Sequence, residues 1–197
     1  LHGTDVTGIG SDDAYRSVTA ATVAAADGIT VPSAYLRDQA RQRLGLAETL
    51  PIEVMANFVD TDAFAPAARR DRSRLHRLFP NAASDEPVLF HVSNFRPVKR
   101  VADLIEVLAI VRRHRPARMV LVGDGPDRTL AEDRARALGV EQSVRFLGRQ
   151  AGFVDWLRHA DAFLLPSASE SFGVAALEAM SAGVPVFAYR VGGLPEV

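Results

Sequence analysis

A doubly wound α/β fold is predicted by three features of the sequence. From residue 88 onward short apolar runs alternate with longer amphipathic stretches, loops with Gly, Pro or Asn separate them, and the apolar runs are nearly continuous. Such runs suit parallel strands covered on both faces, and strand–helix alternation builds that sheet. The expected strands are Val88–Ser93, Met119–Val122, Val144–Leu147, Asp161–Leu165 and Val184–Ala188. Among the expected helices, Val101–His114 sets Leu104, Leu108 and Val111 on one side, Asp127–Leu138 stops at Gly139, and Ala175–Ala182 stops at Gly183. Residues 1–65 repeat the alternation more loosely. Asp12 can cap a helix through Ala26, Gly28–Val31 is a short strand, Ser33 can cap a helix to Leu44 before Gly45, and Ile52–Ala56 is another strand. Three segments follow: the second half of one α/β domain over 1–65, a linker over 66–87 whose Arg-rich stretch Pro66–Pro80 reads as a solvated helix, and a second α/β domain over 88–197. The chain starts at Leu1 rather than Met and stops just after Gly-Gly-Leu-Pro-Glu, so a fragment is expected.

With 197 residues, 48% of them hydrophobic and 24% charged, the chain can bury a core, and a net charge of −1 argues against a disordered tail or a polybasic nucleic-acid arm. The longest uncharged runs, ten residues at 17–26 and eleven at 179–189, fall short of a bilayer-crossing helix, which needs roughly 20 apolar residues. No Cys and no Asn-x-Ser/Thr acceptor occur, which suits a cytoplasmic protein. Of the 23 basic residues only Lys99 is Lys, a compact ammonium against a background of guanidinium forks.

Open parallel sheets bind ligands beyond the carboxyl ends of their strands, where helix N-termini offer free N–H groups. Ser93–Arg100 follows the first strand of the later domain and places Arg96, Lys99 and Arg100 beside a helix start, a cluster that suits a diphosphate. After the strand Asp161–Leu165, Glu170 and Glu178 stand eight residues apart around a Gly-containing turn, with the open amides of Phe172 and Gly173 between them. Carboxylates beside an anion site are expected to accept from hydroxyl groups, Glu170 from a sugar and Glu178 from a ribose. His76, His114 and His159 read as solvated, and His91, Trp156 and Phe163 as core.

The run from His91 to Val197, with Asn94-Phe95-Arg96-Pro97-Val98-Lys99-Arg100, Gly123-Asp124-Gly125-Pro126, Phe146-Leu147-Gly148, the Glu-x7-Glu segment and Gly192-Gly193-Leu194-Pro195-Glu196, resembles the nucleotide-sugar domain of family-4 retaining glycosyltransferases. The resemblance implies a GT-B fold of two Rossmann-like, doubly wound domains. His2-Gly3-Thr4-Asp5, Asn57-Phe58-Val59-Asp60 and Ser93-Asn94-Phe95-Arg96 are most similar to the branch that moves N-acetylglucosamine onto L-malate in bacillithiol biosynthesis. What this implies is transfer from a UDP-sugar to a small-molecule acceptor with retained configuration, no cofactor and no metal. Lys99 would hold the diphosphate, Glu170 the donor sugar, Glu178 the ribose, His2 the reaction centre and backbone at 147–149 the uracil, with Thr4 and Asn94 among the substrate-binding residues. Asn94 stands where many members carry Arg, leaving Arg96 or Arg100 to supply the second cation. Malate enzymes would carry a carboxylate-clamping Arg in the helix after His2–Asp5; here Arg16 lies near its start and Ala20 and Ala21 further in.

Three other readings stay open: a non-catalytic UDP-sugar-binding module, a GT-B UDP-sugar 2-epimerase, and a metal-dependent transfer using Asp60-Thr61-Asp62 as a D-x-D cation site. No nucleic-acid or membrane partner is expected, and a homo-oligomer is left open.

Overall fold

The structure, a computed structural model, describes residues 1–9, 12–81, 83 and 85–197. The chain divides into two compact units. The first gathers Leu1–Phe58 with Ser169–Val174 and Arg190–Val197, and the second consists of Val59–Ala168 and Ala175–Tyr189.

In the first unit a π-helical turn, Thr4–Gly8, precedes α1 (Asp13–Ala24), whose cap Asp12 accepts from the Ala14 N–H. β1 (Thr30–Val31) leads to α2 (Ala34–Leu44), and β2 (Glu53–Val54) pairs parallel with β1. α2 has both expected ends: the Ser33 side chain accepts from the Leu36 N–H, and Gly45 takes φ +64, a conformation that costs Gly little. Val6, Val31, Leu36 and Ala40 form the centre of this unit's core.

The second unit runs α3 (Ser73–His76), β3 (Val88–Val92), α4 (Val101–Arg112), β4 (Arg118–Val122), α5 (Arg128–Ala137), β5 (Val144–Phe146), α6 (Val154–Leu157), β6 (Ala162–Leu165), α7 (Val174–Ser181) and β7 (Val186–Ala188), the first residue of α7 being counted with the first unit. Its five strands are all parallel, in the order β5-β4-β3-β6-β7. Leu104, Ile105 and Leu108 of α4 pack with Met119 and Leu121 of β4 and with Ala131 and Ala135 of α5 in a fully buried cluster. The chain steps outward from β3 to β5, then returns to the other side of β3 for β6 and β7. The topological switch of this doubly wound sheet therefore lies between β3 and β6.

Several expectations need correction. The helix expected over Pro66–Pro80 shrinks to the four residues of α3. Arg70 and Arg72 both pair with Asp161, and Arg70 also donates to the carbonyls of His159 and Ala160, so these side chains tie the segment to the second unit rather than dissolving it in solvent. His159 is buried, with Nδ1 accepting from the Asp71 N–H at 3.2 Å. His76 is half-buried, and among the described residues its ring nitrogens have no partner. Trp156, read as core, is only half-buried on α6, whereas Phe163 is wholly buried as expected.

Candidate functional site

The switch point makes the loop after β3 and the start of the loop after β6, through Ala168, the natural ligand-bearing segments of the second unit. A backbone bond joins them: the Ala168 N–H donates to the Val98 carbonyl at 2.8 Å. In the loop after β3, Phe95 (φ +43) and Arg100 (φ +52) adopt positive φ, which non-Gly residues hold only when their surroundings enforce it. The enforcing contacts are visible. Phe95 is wholly buried, its N–H donates to Ser93 Oγ at 3.3 Å, and its carbonyl accepts from the Asp127 N–H at 2.9 Å. Glycines allow the neighbouring loop to close on it: a Cβ at Gly123 would lie 1.7 Å from the Ser93 carbonyl oxygen, and one at Gly125 2.0 Å from that of Asn94.

Behind this loop stands His91, fully buried in β3. Nδ1 donates to the Leu164 carbonyl at 2.8 Å, Nε2 accepts from Ser93 Oγ at 2.8 Å, and the ring is flanked by Phe95 and Phe163. Burial pushes its pKa down to about 4, so at neutral pH it is an uncharged strut between β6 and the loop. Core placement was the expectation; the link to Ser93 was not, and a His two residues before a Ser at the end of an apolar strand was its only trace.

Lys99 ends a 3-10 turn, Pro97–Lys99, immediately before α4. Asn94 and Arg96 are exposed, and Arg96 forms no ion pair among the described residues. Arg100 is committed elsewhere: its guanidinium pairs with Asp103 and lies 5.3 Å from the Tyr189 ring centroid. At 147–149, the Leu147 carbonyl accepts from the Gln150 side chain and that of Gly148 from the Gly123 N–H.

Glu178 lies in α7, half-buried, and among the described residues its carboxylate takes neither hydrogen bond nor ion pair. Burial raises its pKa. Between the unfolded and the raised folded value the folded chain keeps a proton that the unfolded chain has released, so stability falls as pH rises through that window and stays lower above it. Glu178→Gln is therefore expected to gain stability on wild type between pH 4 and pH 7 in denaturant titrations; a difference that ignores pH would refute this.

Glu170 belongs to the first unit, where the His2–Asp5 loop also lies. The Gly193 N–H donates to the Glu170 carbonyl at 2.8 Å, and a Cβ at Gly3 would meet the Ser171 Cβ at 3.1 Å. His2 is exposed, its N–H on Asp5 Oδ2 at 2.8 Å, and it borders a cavity of about 200 Å³ with Met55, Asn57 and Phe58. Thr4 is exposed in the opening turn, while Phe172 and Gly173 are buried just before α7. The structure thus groups His2, Thr4, Glu170, Phe172 and Gly173 in one unit and Asn94, Arg96, Lys99, Arg100 and Glu178 in the other. Asp60 Oδ1 accepts from the N–H groups of Asp62 and Ala63 at 3.0 Å, a local turn, and no cluster of three or more His, Asp or Glu among the described residues could hold a metal.

Comparison with known proteins completes the picture. The profile of "Glycosyl transferases group 1" matches residues 74–197. Over all 197 residues the chain is 36% identical to the N-acetyl-alpha-D-glucosaminyl L-malate synthase of Bacillus anthracis, covering 50% of that protein. It is 34% identical over 158 residues to a D-inositol 3-phosphate glycosyltransferase of Jonesia denitrificans, covering 75% of this chain and 37% of the relative. Among solved structures, Anabaena Alr3699/HepE in complex with UDP and glucose superimposes with a TM-score of 0.83 at 25% identity, over 100% of this chain and 53% of that one. The chain thus spans half or less of the length of these curated relatives. No helix among the described residues is long and apolar enough to cross a membrane. With a parallel α/β architecture and GT-B structural neighbours, the chain belongs to the group 1 glycosyl transferase family.

Proposed function

We propose that the protein is a retaining, metal-independent glycosyltransferase that moves N-acetylglucosamine from a UDP-sugar to a small hydroxy acid such as L-malate. The observation that carries this reading is the Lys99 turn at the β3/β6 switch, directly before α4. Lys99 and Arg96 hold the diphosphate, Arg100 being taken up by Asp103 and Tyr189. The amides of Phe172 and Gly173 add donors, Glu178 accepts from ribose hydroxyls, and its carboxylate, without a partner among the described residues, fits that role. Glu170 accepts from the sugar, with His2 at the reaction centre and Thr4 binding substrate. As the bond from the anomeric carbon to the phosphate oxygen breaks, the cations stabilise the negative charge growing on that oxygen more than they stabilise the ground state. The acceptor hydroxyl forms the new bond on the same face and gives its proton to the departing phosphate.

The match over all 197 residues to a malate synthase, half of whose length it spans, supports the acceptor; the match to an inositol-phosphate enzyme supports inositol 3-phosphate as the second reading. The test is UDP release by the intact protein from UDP-GlcNAc with malate, with inositol 3-phosphate and with buffer, each with and without EDTA. Product with malate in EDTA upholds the reading. Epimerised donor without acceptor makes it an epimerase, UDP binding without release a binding module, and rescue by Mn²⁺ moves the diphosphate to Asp60 and Asp62. In the same assay Glu170→Gln is expected to lower kcat by about 10- to 150-fold, the worth of one charged hydrogen bond, with UDP affinity unchanged. Parallel losses of kcat and UDP affinity would contradict the role.

A further inference from the structure

We infer that Glu196 is a positioning residue for Glu170, acting through the N-terminus of α2; the inference rests on the role of Glu170 proposed above. A helix leaves its first N–H groups without intrahelical partners. In α2 these are taken by two side chains: Ser33 Oγ accepts from Leu36, and Glu196, far along the chain, accepts from Ala34 at 2.7 Å through Oε2 and from Tyr35 at 2.9 Å through Oε1. A carboxylate there gains from charge-assisted bonds and from the positive end of the helix dipole. Glu196 closes the 3-10 turn Leu194–Glu196, which follows Gly192-Gly193.

That Gly-Gly pair lies directly on the backbone of the Glu170 segment. The Gly193 N–H holds the Glu170 carbonyl, a Cβ at Gly192 would lie 2.1 Å from the Glu170 oxygen, and one at Gly193 2.4 Å from the Ser171 oxygen. Beside it Ser33 Oγ, which a Cβ at Gly193 would meet at 3.0 Å, donates to the Ser171 carbonyl. Residues 170 and 171 are therefore held at both carbonyls by groups fastened to one helix end, by Ser33 directly and by Glu196 through the Gly-Gly turn. An acid on a loose loop spreads over many orientations, whereas one whose backbone is held at its own carbonyl and the next is preorganised.

The test is a double-mutant cycle in the intact protein, read as kcat for sugar transfer and as Kd for UDP. Glu196→Ala is expected to lower kcat at least tenfold while Kd stays within twofold of wild type, which also reports that the variant is folded. Glu196→Gln, which keeps one oxygen able to accept from an amide, is expected to recover part of the loss. In the Glu170→Gln background, Glu196→Ala should change kcat by less than twofold, because residues that act through one another are not additive. Independent, multiplying losses would overturn the inference, as would an unchanged kcat or a Kd that rises in step with the kcat loss. A wild-type protein that binds UDP yet transfers no sugar would overturn the reading of Glu170 itself, and the inference with it.

Discussion

Lys99→Ala is expected to raise the Kd for UDP by about 10- to 150-fold, equivalent to about 1.5–3 kcal/mol, the range for a hydrogen bond to a charged group. The expectation rests on where the ammonium sits. It closes the turn after β3, at the point where the sheet order reverses, and the next residues open a 12-residue helix whose first N–H groups face the same end of the sheet. The fold should survive the substitution, because the turn is held by backbone: the Lys99 N–H donates to the Arg96 carbonyl at 2.8 Å and the Arg100 N–H to that of Pro97 at 3.1 Å. Lys99→Arg separates charge from shape. It keeps the positive charge but replaces a compact point donor with a planar fork, so partial recovery is expected. Salt gives a second readout, since screening weakens charge–charge contacts: UDP affinity should fall less steeply with ionic strength in the Ala variant than in wild type. Calorimetry returning the wild-type Kd for Lys99→Ala would remove Lys99 from the nucleotide site.

What the sequence disclosed and what it hid divide along the range of the interactions. α2 was legible at both ends because its signals are local: Ser33 three residues before the amide it caps, and Gly45 directly after Leu44. The five strands of the second unit were legible for the same reason, as apolar runs between loop residues. The Pro66–Pro80 segment was misread because its Arg spacing favours a helix, while its shape is decided by Asp161, some ninety positions away. His159 likewise sits among charged neighbours in sequence, while the groups that meet it, the Asp71 N–H on Nδ1 and Arg70 on its carbonyl, come from some ninety positions away. Gly123 and Gly125 were legible only as part of the Gly-Asp-Gly-Pro motif of the family resemblance; their reason is the approach of the Ser93 and Asn94 carbonyls, which no spacing announces. The hold of Glu196 on α2 is longer-range still, and the Gly-Gly-Leu-Pro-Glu motif pointed to the family without pointing to that contact.

Acidification from pH 6.5 to pH 4 is expected to cost the protein about 3 kcal/mol of stability through His91 alone, at roughly 1.4 kcal/mol per pH unit between the unfolded and folded pKa values. The direction follows from the buried ring. Its folded pKa, about 4, lies below the ordinary 6.5, so over that interval the unfolded chain binds a proton that the folded chain refuses. Stability is thus present in full above pH 6.5 and drains away as pH falls toward 4. Burial is the main cause; the Leu164 carbonyl on Nδ1 opposes it, and the Lys99 charge adds to it. Other groups titrate nearby in pH, Glu178 with the opposite sign, so the measurement is a difference between wild type and His91→Phe in denaturant titrations at several pH values. The Phe ring fills the space between Phe95 and Phe163 but leaves the Leu164 carbonyl and Ser93 Oγ without their partner. The variant should therefore be less stable than wild type at pH 7, by about 1–3 kcal/mol for the Leu164 carbonyl that loses the ring N–H, Ser93 Oγ keeping the Phe95 N–H, with the gap narrowing as pH drops to 4. Because Ser93 Oγ also receives the Phe95 N–H, the same substitution should loosen the loop that carries Lys99 and raise the Kd for UDP even at pH 7. A gap that stays constant from pH 7 to pH 4 would mean that the imidazole is already solvated in the folded protein, and the strut between β6 and the Lys99 loop would have to be abandoned.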